Sequence, residues 1–303
     1  MNTFTSFETL RQPLPVYSAK NLYYASARLM IKTVGNLSGG IRIGNRFGFD
    51  SGVMLDYVYK NQASGKFLIG KLMDRIYLNS VGWRGIRLRK ALLTRCLAKA
   101  VVEQLAHKTQ VRYLDLACGG GEYDIEVLKR FPANRLVAEL RDYKAENIEK
   151  AGCNARAAGL DFIQFRQADA FNEIHYGEKW DVIVASGFWE IIEDDSLVRN
   201  CLLNAARCLN PGSTLIFTTQ PHHPQLEFIA RTLTSHTGRP WVMRLRSLEL
   251  LKRWVEDAGL QLTSHSMEPY GIFGVAEAVK APVKAQESAA NISEELTCRV
   301  ATP

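Results

Sequence analysis

The six cysteines of this 303-residue chain, Cys96, Cys118, Cys153, Cys201, Cys208 and Cys298, include no C-x-x-C pair and no spacing that suits a zinc or iron–sulfur site. No metal is therefore expected, and free thiols point to a reducing cytoplasm. Runs of about 18 apolar residues are missing as well, so no segment reads as a membrane span. The first residues, Met1 to Arg11, carry polar side chains and Glu8 where a secretory leader would have an apolar core. Internal repeats, the G-x-G-x-x-G dinucleotide signature and RNP motifs are all absent, which disfavours solenoids, nicotinamide oxidoreductases and RNA-reading sheets. Acid is scarce at one end. Residues 1–110 hold 17 Lys/Arg against 5 Asp/Glu, and the remainder holds 21 against 26. A basic first third suits phosphate, an anionic membrane surface or nucleic acid, whereas a mildly acidic remainder is ordinary for an enzyme. With 47% hydrophobic and 23% charged residues, the rest is a globular composition long enough for one or two domains.

Apolar residues at helical spacing predict a helix over 18–34, followed by a glycine-rich connector over 35–52. Shorter helices are predicted over 53–59 and 66–78, and a long one over 83–106. Residues 1–108 thus read as a basic helical cap region. From Val111 onward, β-prone runs alternate with helical stretches at 111–116, 135–140, 162–166, 181–185 and 214–218. Two more runs, 260–266 and 271–277, have no helix between them. This pattern predicts an α/β domain over 109–280, with a mostly parallel sheet closed by an antiparallel edge pair. Residues 281–303 read as a disordered tail.

Chemistry concentrates where the strands end. The run Val111 to Tyr123 reads as a buried strand ending in Asp115, then a turn through Ala117, Cys118, Gly119, Gly120 and Gly121, then a helix. Glycines there let a ligand lie against the backbone. An acid directly before the turn would repel a pyrophosphate but suits a cofactor with an ammonium and a sulfonium, such as S-adenosylmethionine. Asp142 ends the second strand, followed by Tyr143; it is placed either to accept bonds from ribose hydroxyls or to cap the next helix, with Glu139 as the fallback. Asp169 and Ala170 follow the third strand, where an acid can accept from an adenine amine. Ser186 and Gly187 follow the fourth. Four strand ends side by side are where doubly wound sheets bind ligands.

On these residues the chain resembles the class I S-adenosylmethionine-dependent methyltransferases over residues 111–279, with Ala117 standing where their first motif usually has a glycine. The resemblance implies a Rossmann-like seven-stranded methyltransferase sheet with an N-terminal helical cap, and S-adenosyl-L-methionine as cofactor. It narrows to a family of bacterial methyltransferases of unknown substrate through Gly48-Phe49-Asp50-Ser51-Gly52, Leu55-Asp56-Tyr57-Val58-Tyr59, Gly82-Trp83-Arg84-Gly85-Ile86-Arg87, Leu140-Arg141-Asp142-Tyr143 and Gln220-Pro221. Some relatives are joined to hydrolase-like domains, which points toward lipid metabolism.

Acceptor-side candidates follow. Glu190 could orient or deprotonate a hydroxyl or amine, or simply complement a helix dipole. His222, or its neighbour His223, could serve as a general base or be a polar loop residue. Cys118 reads as a small packing residue within the cofactor turn. Tyr57, Tyr59, Trp189, Arg84 and Arg87 are candidate substrate contacts, the two arginines as a bidentate phosphate clamp or as a solvated helix face. The expected function is methyl transfer to a small-molecule or lipid-like acceptor, anionic in character. The alternative is an RNA- or membrane-surface-binding protein built on a methyltransferase fold, with nucleic acid the less favoured partner. The sequence does not name the acceptor atom or the oligomeric state.

Overall fold

In the computed structural model, residues 6–172 and 178–282 are described. The strands β1 (Val111–Asp115), β2 (Leu136–Asp142), β3 (Gln164–Gln167), β4 (Trp180–Ala185), β5 (Leu209–Thr219), β6 (Leu260–Met267) and β7 (Gly274–Lys280) form one sheet in the order 3-2-1-4-5-7-6. The first five are parallel, and β7 runs antiparallel between β5 and β6. Strands β1 and β4 lack an alternating polar pattern because helices cover both faces. Along β1, Val111 and Tyr113 enter one core and Leu114 the other, as a period of two requires. The first face is packed by α6 (Val81–Leu105), α7 (Glu122–Leu128) and α8 (Ala145–Ala157), and the second by α9 (Asp195–Cys208) and α11 (Leu248–Asp257). All seven predicted strands are present within a few residues of their expected positions. The expected tail lies outside the described residues, apart from 281 and 282.

The cap consists of α1 (Phe7–Arg11), α2 (Ala19–Lys32), α3 (Gly39–Phe47), α4 (Gly52–Lys60) and α5 (Phe67–Leu78), with α10 (Leu226–Thr232) returning from the sheet to meet α1 and α2. Serines start four of these helices: Ser6, Ser18, Ser38 and Ser51 accept N–H bonds from Thr9, Asn21, Ile41 and Met54. Helix α3 occupies the connector that the glycines suggested was a loop. Its glycines serve close packing instead. A Cβ on Gly40 would lie 2.6 Å from the Tyr77 ring, and one on Gly44 would lie 2.4 Å from the Phe49 ring. Helix α6 belongs to both regions. Trp83 and Ile86 at its start join the cap core with Phe49, Met54 and Phe273, while Leu93, Leu97 and Val101 lie in the sheet core with β1 and β2. A division at residue 108 therefore follows chain order rather than packing.

Candidate active site

The turn after β1 is tied down before any ligand arrives. The Cys118 N–H donates to the Arg141 carbonyl on β2 at 2.8 Å, and the Gly121 N–H donates back to the Cys118 carbonyl at 2.9 Å. Gly119 and Gly121 hold left-handed backbone at φ 56° and 70°, which side chains disfavour. A Cβ on Gly119 would meet nothing within 4 Å, so the turn opens to the cleft there. Beside it, Asp142 accepts from the Gly119 N–H at 3.0 Å, the Lys144 N–H at 2.9 Å and the Asn147 side-chain amide at 3.0 Å. These bonds use three of the roughly four acceptor sites of a carboxylate. Asp142 does not cap α8, because toward that helix its bonds reach only the N–H of Lys144, which precedes the helix, and the Asn147 side chain; one acceptor direction stays open beside the turn. Glu139 is spent on Arg141 and Arg166 and is not free to replace it. Tyr143 is exposed next to Asp142, and Asp169 is exposed with one oxygen accepting from the Phe171 N–H. Ala170 is half-buried, Ser186 is buried, and Gly187 holds φ 76° with its N–H on Thr218 Oγ1 at 2.8 Å.

Asp115 does not face the cleft. It is 0% exposed beneath the turn, accepting from the Ala117 N–H at 2.8 Å and the Tyr123 hydroxyl at 2.7 Å. Burial pushes its pKa up to about 7, against the opposing pull of these bonds. Asp124, held by the Tyr113 hydroxyl at 2.6 Å, is raised well above the carboxylate range by burial and then by the charge of Asp115. The acid expected to meet a cofactor ammonium thus braces the turn from behind. Burial also pushes the Cys118 thiol upward, leaving it a packing group rather than a nucleophile. On the cleft side stands Asp56 of α4, whose carboxylate would lie 3.2 Å from a Cβ on Gly120 and which is ion-paired with Lys150 of α8. Only its place in the Leu55 to Tyr59 stretch marked it in the sequence.

A cavity of about 400 Å³ runs from Gly187 into the cap. Its walls are largely apolar, with Ile31, Ile41, Phe49, Leu55 and Ile76 from the cap meeting Phe273 from the sheet. Polar groups gather at the sheet end. Glu190 accepts from Thr218 Oγ1 at 2.6 Å through Oε1 and faces Arg89 at 3.9 Å, while its buried Oε2 and the buried Arg89 Nε have no hydrogen-bond partner. His223 receives the Gln225 N–H on Nδ1 at 3.1 Å, which assigns the ring hydrogen to Nε2 in the neutral form. Burial, followed by His222, lowers its pKa to about 4, so it stays neutral near pH 7. His223 is therefore a donor and Glu190 an acceptor.

Several expected substrate contacts lie elsewhere. His222 does not line the cavity; its neighbour does. Trp189 is buried in the sheet core against Phe217, with ring centroids 5.3 Å apart. The Tyr57 hydroxyl donates to Asp74; Tyr59 is the exception, its ring lying 4.9 Å from Lys90 Nζ and its hydroxyl meeting the guanidinium of Arg89, which lines the cavity. Arg84 is exposed over the Tyr270 ring at 5.0 Å, and Arg87 donates to the Leu78 carbonyl at 2.9 Å. The phosphate clamp is corrected by helical phase. Gly82, Ile86 and Arg89 line the cavity at spacings of four and three, which turns Arg84 and Arg87 away and leaves Arg89 as the arginine at the site. Among the described residues, no three His, Cys, Asp or Glu side chains gather as a metal site would need.

The same architecture recurs in solved structures. A possible exported protein from Bordetella parapertussis aligns with a TM-score of 0.61 at 17% identity, over 87% of this chain and 96% of that one. The magnesium protoporphyrin IX methyltransferase of Synechocystis PCC 6803 with bound SAH aligns with a TM-score of 0.55 at 14% identity, over 83% and 100%. By sequence, the uncharacterized protein YnbC of Escherichia coli is 40% identical over 273 residues, covering 88% of this chain and 46% of YnbC, so the chain spans about half the length of that relative. The family described as Putative methyltransferase matches residues 1–280. Because that match runs from the first cap helix through the last strand, cap and sheet form one inherited unit on a class I methyltransferase fold, and the chain belongs to the Putative methyltransferase family.

Proposed function

We propose that the chain transfers a methyl group from S-adenosyl-L-methionine to a nucleophilic atom of a largely apolar small-molecule or lipid-like acceptor held in the cap cavity. The cavity carries the reading: its unpaired polar atoms, Glu190 Oε2 and Arg89 Nε, lie at the end next to Gly187, and apolar walls fill the rest. The cofactor fits beside it. Asp142 has one acceptor direction left for a ribose hydroxyl, and the open side of Gly119 admits the methionine portion. Asp56 is at hand for the ammonium in place of Lys150. Tyr143, Asp169, Ala170 and Ser186 border the remaining strand ends, toward the adenosine.

When bound, the cofactor supplies an activated methyl group and its own leaving group. The residues of the chain position the acceptor, keep water out and move one proton. Alignment of the reacting atoms at about 3 Å supplies much of the barrier reduction. Glu190 Oε2 is placed to take a proton from an acceptor hydroxyl or amine, and the His223 Nε2–H to hold an acceptor oxygen. An acidic group on the acceptor would meet Arg89. Incubation with methyl-labelled S-adenosylmethionine and a bacterial extract, separated into organic-soluble, water-soluble and macromolecular fractions, tests this reading. Label should enter the organic-soluble fraction; label confined to RNA, protein or polar metabolites overturns it.

A further inference from the structure

The cap carries a surface that methyl transfer does not use. Helix α5 presents Phe67, Leu68, Ile69, Leu72 and Ile76 to solvent, with Phe67 and Leu68 82% and 85% exposed. Positions 68, 69, 72 and 76 repeat at helical spacing and form one side of the helix. The short turn Val34–Leu37 packs on both α2 and α5, and so carries the exposed Leu29, Met30 and Val34 toward the same part of the cap. Phe67 also sits at φ 60°, a left-handed backbone that is rare outside glycine, and no burial compensates it. Single exposed apolar side chains are ordinary, but a contiguous group marks an interaction site.

Charge identifies what covers it. Residues 19–78 contain nine Lys/Arg and only three acids, Asp50, Asp56 and Asp74. All three carboxylates are turned inward: Asp50 binds His236, Asp56 binds Lys150, and Asp74 takes bonds from Ser38 and Tyr57. The charges this segment shows to solvent are therefore positive. Lys66, Lys71 and Arg75 stand exposed on or beside the apolar helix, and Lys32 and Lys60 are exposed at the ends of α2 and α4. A second copy of the chain would set like charge against like. An anionic bilayer offers opposite charge at its surface and an apolar interior beneath it.

The cavity supplies an independent observation. Ile31, Met73 and Ile76 line it, and Ile76 is also 67% exposed, so the apolar row runs into the cavity mouth. We propose that the face formed by α5 and the end of α2 docks on an anionic lipid bilayer, and that the apolar acceptor passes from the bilayer into the cavity past Ile76. Among the described residues no helix is long and apolar enough to cross a membrane, and the docking proposed is by this surface. Lys and Arg stems reach headgroups while Phe67 and Leu68 enter the acyl boundary. The entry route rests on the apolar-acceptor reading, whereas the docking itself does not.

Flotation with vesicles of phosphatidylcholine, with and without phosphatidylglycerol, tests the docking in the absence of any acceptor or cofactor. The full chain should float only with phosphatidylglycerol vesicles and detach at high salt. Combined Phe67→Ser, Leu68→Ser and Ile69→Ser should lower binding by about tenfold or more, as loss of inserted apolar area requires. Lys66→Gln, Lys71→Gln and Arg75→Gln together should lower it with the fold intact by thermal unfolding. Failure to float, or flotation indifferent to both sets of substitutions, overturns the proposal. A dimer in sedimentation equilibrium that the serine substitutions dissolve would assign the face to a second copy and overturn it equally. Because no methyl transfer is measured, an error about the acceptor leaves this outcome untouched.

Discussion

Two buried acids, Asp115 and Asp124, share the space beneath the cofactor turn, and their titration sets a pH dependence of stability. Asp115 has a folded-state pKa of about 7 against its ordinary 3.8, so its contribution is fully present below the ordinary value and is lost as pH rises through about 7. Asp124→Asn removes the second titrating group while keeping the shape. Its thermal unfolding midpoint should fall less than that of the parent between pH 6 and 8, because the folded parent keeps a proton on Asp124 that the unfolded chain has lost, and parallel curves would mean that Asp124 is already ionised at pH 6. His223 has the opposite sign. Its pKa of about 4 lies below the ordinary 6.5, so its contribution is present above 6.5 and lost on acidification toward 4. At Asp142, replacement by Ala should weaken S-adenosylhomocysteine binding by about 1–3 kcal/mol in calorimetry, the usual cost of a lost partner for a buried polar group. Unchanged affinity would leave Asp142 only its bonds to Gly119, Lys144 and Asn147. Glu190→Gln should reduce methyl transfer by about 10²–10⁴-fold with cofactor affinity retained, as loss of a general base does. His222→Ala should leave it nearly unchanged.

At the scale of elements, α3 and α6 show where one-dimensional signals mislead. The glycines of α3 look like a flexible connector, because glycine lowers helix propensity by up to about 1 kcal/mol. In the fold, Gly40 and Gly44 let aromatic rings approach the helix backbone, at distances no Cβ permits. Gly44→Ala should therefore destabilise by about 1–3 kcal/mol through overpacking rather than stabilise through propensity. Thermal unfolding decides the sign, and a rise in the midpoint would show that the Phe49 ring can yield. In α6, the length and apolar periodicity were legible, and Arg89, three residues after Ile86 and four before Leu93, shares that apolar side whereas Arg84 and Arg87 do not. What the periodicity did not give is that the side opens onto a cavity at its first turns. Arg84→Gln with Arg87→Gln should consequently leave acceptor turnover and cofactor affinity nearly unchanged. Arg89→Gln should impair turnover strongly, because it leaves Glu190 buried opposite a neutral group.

For the whole molecule, the basic first third and the mildly acidic remainder belong to one packed unit rather than to two separable domains, since α6 lies in both cores. The positive excess does not converge on the cofactor turn. Part of it spreads over the outer surface of the cap, around the apolar side of α5, and Arg89 is buried at the inner end of the cavity. One chain segment thus lines the cavity and carries the exposed apolar side of α5.

The sequence by itself determined the strands, their parallel arrangement with an antiparallel closing pair, and the glycine turn after β1 with an acid ending the next strand. Each of these depends on neighbours a few residues apart: alternation, glycine in a strand-to-helix turn, an acid at a strand end. Tertiary structure alone decided that Asp115 points inward, that Asp56 takes the cleft side, that His223 rather than His222 reaches the cavity, and that Arg89 is the arginine at the site. These are questions of which side of an element meets which other element. The answer comes from packing between segments far apart in the chain, as when α4 of the cap closes over a turn about 60 residues farther along, and no local pattern of residues encodes a contact at that separation.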